Sequence, residues 1–217
     1  MSHVPSHRES SIIDISPEIS QSLAVFPGDT PFSQKVLYDC QKGDGFGLSS
    51  FTTTPHLGAH TDAPNHYSAS GVGISDRSLD YYYGPCQVIS VDLPRGQRIK
   101  PHHIEKVAIT AQRILFRTNS FPNPYKWNDD FNSLSPELIE FLNQMRVILV
   151  GIDTPSIDLA KDKVLKTHHK VHEKNMAILE GIVLTNVSDG HYTLVALPLK
   201  MKGLDASPVR AVLIANA

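Results

Sequence analysis

The chain has 217 residues, and its 20 basic and 22 acidic side chains leave a formal net charge of −2, which gives no electrostatic case for a nucleic-acid or polyanion partner. With 41% hydrophobic and 19% charged residues it has the composition of a globular protein able to bury a core, and apolar runs such as residues 147–150 are far too short to span a bilayer. Two cysteines exclude a disulfide framework and a four-thiolate zinc site, whereas 11 histidines make imidazole the abundant ligand type.

Residues 1–10 (MSHVPSHRES) are polar and lack the apolar stretch of a signal peptide. They are expected to be a disordered start in which His3 and His7 are inert, and the chain is expected to be cytoplasmic. Residues 11–217 are expected to form one domain, since no repeat or composition shift divides them. Segments 11–15, 35–38, 86–93, 112–117, 146–153, 176–187, 192–197 and 209–215 are rich in Val, Ile, Leu or Tyr and predict strands. Several, above all R-V-I-L-V-G-I-D (146–153), are apolar on both faces, as in strands covered on each side.

The clearest helix is predicted over residues 135–145 (SPELIEFLNQM). Ser135 can accept from an early backbone N–H, Pro136 fits the first helical position, and Glu137 favours the positive end of the dipole. A second short helix is predicted over residues 102–107 after Pro101, and the polar segment 159–174 is helix-compatible. The fold class is α/β, with more strand than helix. Cys40 and Cys86 both read as buried small hydrophobes.

Loops carry function when they carry chemical side chains, and one does so densely. Residues 55–67 read P-H-L-G-A-H-T-D-A-P-N-H-Y, with His56, His60, Asp62 and His66 inside eleven residues. Fully extended, the two outer histidines would stand roughly 33 Å apart, so a shared site requires the chain to bend at Gly58 and Pro64. A curled segment of this kind can converge imidazoles and a carboxylate on one point, the ligand set of zinc, manganese or iron. A second cluster, T-H-H-K-V-H-E-K-N-M-A-I-L-E (167–180), offers His168 and His172 at helical i, i+4 spacing, with His169 pointing elsewhere. Glu180 interrupts the apolar run A-I-L-E-G-I-V-L, an expensive place for a carboxylate unless it is paired or bound to a cation. Spacing does not decide which of His168, His169 and His172 joins Glu180.

The stretch H-L-G-A-H-T-D-A-P-N-H resembles the H-x-G-T-H-x-D-x-P-x-H signature of the cyclase-family metal-dependent amide hydrolases. Further segments extend the resemblance over nearly the whole chain from about Ile12: F-P-G-D-T-P, G-I-D-T-P-S-I-D, the H-H pair, A-I-L-E-G-I-V-L and the closing L-P-L-K-M-K-G-L-D-A-S-P-V-R-A-V-L. In this combination they are most similar to the bacterial kynurenine formamidases within that family. The resemblance implies a swivelling β/β/α fold with a single mixed sheet, a homodimer, and two metal ions, normally zinc, with manganese the alternative. It implies His56, His60 and Asp62 on one metal and His168 on the other, with Asp62 and Glu180 bridging both. His66 would then transfer the proton, His169 would support the site, and His172 would lie at the surface.

Two positions depart from the pattern. Ala59 stands where the broad signature has Thr, and Phe26 stands where formamidases carry a tryptophan that packs on the aromatic substrate; Phe can still stack there. The implied activity is hydrolysis of the aryl formamide N-formyl-L-kynurenine to L-kynurenine and formate. Alternatives are another cyclase-family hydrolase, such as one opening isatin with manganese, and a catalytically silent metal-binding member.

Overall fold

The computed structural model of the protein describes residues 12–215; the polar start with His3 and His7 lies outside them. In chain order the first strands are β1 (Ile12–Asp14), β2 (Ser33–Tyr38), β3 (Leu48–Thr52) and β4 (His60–Asp62). Then come β5 (Tyr83–Ser90), β6 (Arg98–Ile99), β7 (Arg113–Arg117), β8 (Ser133–Leu134) and helix α1 (Pro136–Gln144). The last elements are β9 (Leu149–Ile152), helix α2 (Lys166–Glu173), β10 (Ala177–Leu179), β11 (Gly190–Val195), β12 (Ala206–Pro208) and β13 (Val212–Ala215).

Seven of these strands form one mixed sheet in the order β1-β13-β11-β5-β7-β9-β10. The β5, β7, β9 and β10 neighbours pair in parallel, and β11, β13 and β1 continue antiparallel. Side chains alternate across the pleat. Ile114, Phe116, Val150, Ile152 and Ile178 therefore pack on one face with Leu138, Ile139 and Leu142 of α1 and Val171 of α2. Val88, Leu115, Leu149, Leu179, Leu194 and Leu213 fill the other face. Two covered faces explain why β9 and the centre of β7, Ile114–Phe116 between its two arginines, carry no polar side chain.

Helix α1 forms where the sequence predicts it. The Ser135 hydroxyl accepts from the Leu138 N–H at 3.2 Å, and Pro136 opens the first turn. Other boundaries differ for local reasons. Residues 102–107 hold no α-helix, only a single 3₁₀ turn at Pro101–His103, closed by the His103 N–H donating to the Lys100 carbonyl at 3.0 Å and capped by the Lys100 N–H donating to His103 Nδ1 at 2.9 Å. Of the helix-compatible segment 159–174, only Lys166–Glu173 is helical, because Leu165 takes a left-handed φ of 53°. The long predicted strand 176–187 stops at Leu179, because Gly181 turns the chain at φ 66°. Cys86 is buried as expected, its thiol pushed up to about 12 chiefly by that burial, but Cys40 is exposed. It sits in the turn between β2 and β3, a hairpin whose residues are exposed along both strands.

Candidate metal centre and substrate pocket

Strand β4 is where the histidine run meets the rest of the chain. On one side it pairs antiparallel with β12, Asp62 facing Ala206 and His60 facing Pro208. On the other, His60 and Glu180 exchange both backbone hydrogen bonds, at 3.1 and 2.9 Å, so their side chains stand as a cross-strand pair. His60 and Asp62 share a face two residues apart, while Thr61 points away and donates to the Ile178 carbonyl at 2.6 Å. This junction requires glycine at 181: its φ is positive, and a Cβ there would collide with the Gly58 carbonyl. The bend expected at Gly58 is present at φ 57°, and it curls His56 back over the strand.

His168 enters from α2, and three imidazoles and two carboxylates then converge. His56 Nδ1 lies 3.0 Å from Asp62 Oδ1, and His60 Nε2 lies 3.2 Å from Glu180 Oε2. His168 Nε2 is 3.3 Å from Asp62 Oδ2 and 3.5 Å from Glu180 Oε1. Each ring donates its other N–H outward: His56 to Asp205 at 3.2 Å, His60 to the Gly58 carbonyl at 2.9 Å, and His168 to Asp158 at 2.8 Å. Outward N–H groups leave unprotonated nitrogens facing carboxylate oxygens, a repulsive arrangement unless a proton or a metal ion lies between them.

The buried oxygens support the same description. Both Asp62 oxygens are sealed from solvent and neither accepts a well-formed hydrogen bond. His60, Asp62 and Glu180 offer ligand atoms within 4.8 Å of one another, as do His56, Asp62 and His66. This donor set suits a divalent cation. Without one, protons serve. Burial pulls His56 down, but Asp62 and then Asp205 outweigh it and raise it to about 9. Burial likewise opposes protonated His168, but Asp158, Asp62 and Glu180 together hold its pKa well above the ordinary histidine value. Burial pushes Asp62 up, yet His168 and His56 keep it well below the usual carboxylate range.

The centre lies in a pocket of about 530 Å³. His66, on a 3₁₀ turn opened by Pro64, reaches this pocket with its ring centroid 4.3 Å from that of His56 and 6.0 Å from that of His168. Its Nδ1 lies 3.5 Å from Asp205, the carboxylate that also holds His56. Phe26 lines the pocket and meets Trp127 edge-on at 4.9 Å. Trp127 in turn contacts Phe121, a further lining residue.

The second cluster divides differently from its sequence spacing. Only His168 joins Glu180. His169 is exposed and touches none of these groups, whereas His172, expected at the surface, is half-buried with its ring 6.0 Å from that of Tyr67. Sequence reasoning missed Asp158 and the Phe121–Trp127 wall. Asp158 carried a faint signal, an acid just before the histidine helix, but its target is visible only in three dimensions.

The Cyclase family model ("Putative cyclase") matches residues 13–159. A kynurenine formamidase from Bordetella avium is 43% identical over 201 residues, 92% of this chain and 96% of that protein. Two solved structures share the fold. One, described as a potential metal-dependent hydrolase with cyclase activity, has a TM-score of 0.82 at 23% identity and covers 95% of this chain and 98% of its own. The other, isatin hydrolase A from Labrenzia aggregata, has a TM-score of 0.79 at 20% identity, covering 95% and 94%. The mixed α/β fold and the sequence thus agree, and the chain belongs to the cyclase family, in the group of the kynurenine formamidases.

Proposed function

We propose that this protein hydrolyses the aryl formamide N-formyl-L-kynurenine to L-kynurenine and formate at a two-zinc centre. The observation that carries the reading is the carboxylate pair Asp62 and Glu180, buried and faced by three inward ring nitrogens on the floor of an aromatic-walled pocket. His56, His60 and Asp62 would hold one cation and His168 the other, with Asp62 and Glu180 shared. When bound, the cations supply Lewis acidity, which lowers the pKa of water and polarises a carbonyl.

The protein's own groups perform the remaining tasks. Phe26, braced edge-on by Trp127, stacks on the substrate's aromatic ring and directs the formamide toward the carboxylates. Water adds to the formyl carbon and the carbon–nitrogen bond breaks. His66, open to the pocket and steered by Asp205, takes the water's proton and delivers it to the departing aniline nitrogen. Formate carries the water oxygen, and no Ser or Cys nucleophile is needed.

The reading includes a homodimer and a cytoplasmic location. The β2–β3 hairpin exposes Val36, Leu37, Tyr38, Phe46, Leu48 and Phe51, an apolar surface suited to covering by a second copy. Two free thiols fit a reducing compartment.

Purified protein should release formate from N-formyl-L-kynurenine, lose that activity in EDTA, recover it with zinc, and leave isatin unopened. Bound zinc without formamide hydrolysis would reject the substrate. Isatin opening favoured by manganese would support the cyclic-amide hydrolase instead.

A further inference from the structure

The three imidazoles at the centre are not held equally. His60 is steered by a neutral carbonyl, that of Gly58, and His56 by Asp205, whose side chain is 43% exposed. Behind His168 stands Asp158, fully buried. Its Oδ2 accepts from the His168 ring at 2.8 Å and from the His168 backbone N–H at 3.1 Å. The Thr167 N–H donates to the same carboxylate at 3.0 Å. Helix α2 has no side-chain cap of its own, since Leu165 stands at the cap position. Asp158 therefore serves as a cap supplied from outside the helix, and it grips one residue by both main chain and side chain.

Asp158 is itself fixed. Arg98 Nη1 donates to its Oδ1 at 2.7 Å, to Thr167 Oγ1 at 2.7 Å and to the Leu134 carbonyl at 2.8 Å. The other guanidinium nitrogen pairs with Asp162. A carboxylate in this position dictates the proton's place on the ring: Nδ1 carries it, so the Nε2 lone pair faces Asp62 and Glu180.

We propose that Asp158, braced by Arg98, is a positioning residue for His168, setting the tautomer and orientation with which that ring meets a divalent cation. The proposal rests on the metal-centre reading above. It predicts that the two cation positions differ in their dependence on Asp158: the position served by His168 needs it, and the position served by His56 and His60 does not.

Metal-free protein titrated with zinc against a chromophoric chelator tests this. Wild type should take up two zinc ions. Asp158→Asn, nearly isosteric, should hold one with unchanged affinity and the other about 10–100-fold more weakly. Lys166→Gly, at the exposed first position of the same helix turn and outside the Arg98–Asp158 contacts, should keep wild-type affinity for both. A variant that fails to fold leaves a second measurement on the wild type. In nitrogen-15 spectra of zinc-loaded, histidine-labelled protein, the ring signal removed by His168→Gln should show a protonated Nδ1 and an unprotonated Nε2. Wild-type zinc affinity in Asp158→Asn, an equal loss in Lys166→Gly, or a proton on Nε2 would each overturn the proposal while leaving the metal centre standing. Failure of the wild type to bind zinc would remove the metal reading and the proposal with it.

Discussion

Residues 56–66 and 168–180 deliver their side chains to one point by opposite means. The first segment is short and irregular, and its bends and the orientation of His60 are local, although Asp205 holds His56 from far along the chain. Gly58 bends it, its own carbonyl orients His60, and Pro64 opens the turn that presents His66. The second is a helix followed by a strand, and neither element orients its own ligand candidate. His168 is set by Asp158 and Arg98, ten and seventy residues upstream, while Glu180 is set by its backbone exchange with His60 and by the Ile157 N–H, which donates to its Oε1 at 2.6 Å. A site assembled in this way takes its bends from local residues on one side and the direction of its ligand candidates from distant contacts on the other.

Four experiments sharpen that contrast, beginning with the largest effect. Asp62 belongs to both sides, so Asp62→Ala should abolish formamide hydrolysis and release both metal ions, as measured by turnover and metal analysis. His66→Ala should lower kcat by about 10²–10⁴-fold with metal content unchanged, since its assigned task is proton transfer. Gly181→Ala strikes the contact that joins the two segments. A left-handed backbone forced on alanine costs about 1–3 kcal/mol, and the collision with the Gly58 carbonyl adds to it. A large drop in Tm together with weakened zinc binding is expected. Ser135→Ala, which removes only the cap of α1, should cost about 1 kcal/mol and leave kcat and zinc affinity untouched.

A pH series examines how both sides exchange protons for metal. His56 is raised in the metal-free fold from 6.5 to about 9, so its protonated form stabilises that fold. The contribution is complete below pH 6.5 and is lost as pH rises through about 9. Metal binding must displace that proton and the one held on His168, so zinc affinity should climb by at least about tenfold per pH unit over the same window. The opposing trends can be read from metal-free Tm and from zinc titrations at stepped pH. Zinc affinity independent of pH would show that no histidine proton is displaced.

Composition and local pattern made much of this legible. The cap residues Ser135, Pro136 and Glu137 act within one turn, so α1 could be drawn to within a residue. The apolar strands of the sheet were visible because both of their faces are buried. The density of His56, His60, Asp62 and His66 around Gly58 and Pro64 marked a centre, because few other roles suit such a group, and the family resemblance followed from the same residues. The choice among His168, His169 and His172 was beyond spacing, because each can face a different side of one helix and only the packing of α2 beneath Asp158 selects a side. The early end of β10 likewise depends on how closely Gly181 approaches Gly58, a contact between residues 123 positions apart. Short-range chemistry fixes residue types and turns; the direction in which a ligand points is a long-range property, and at this centre Asp158, Arg98 and the edge of β10 supply it.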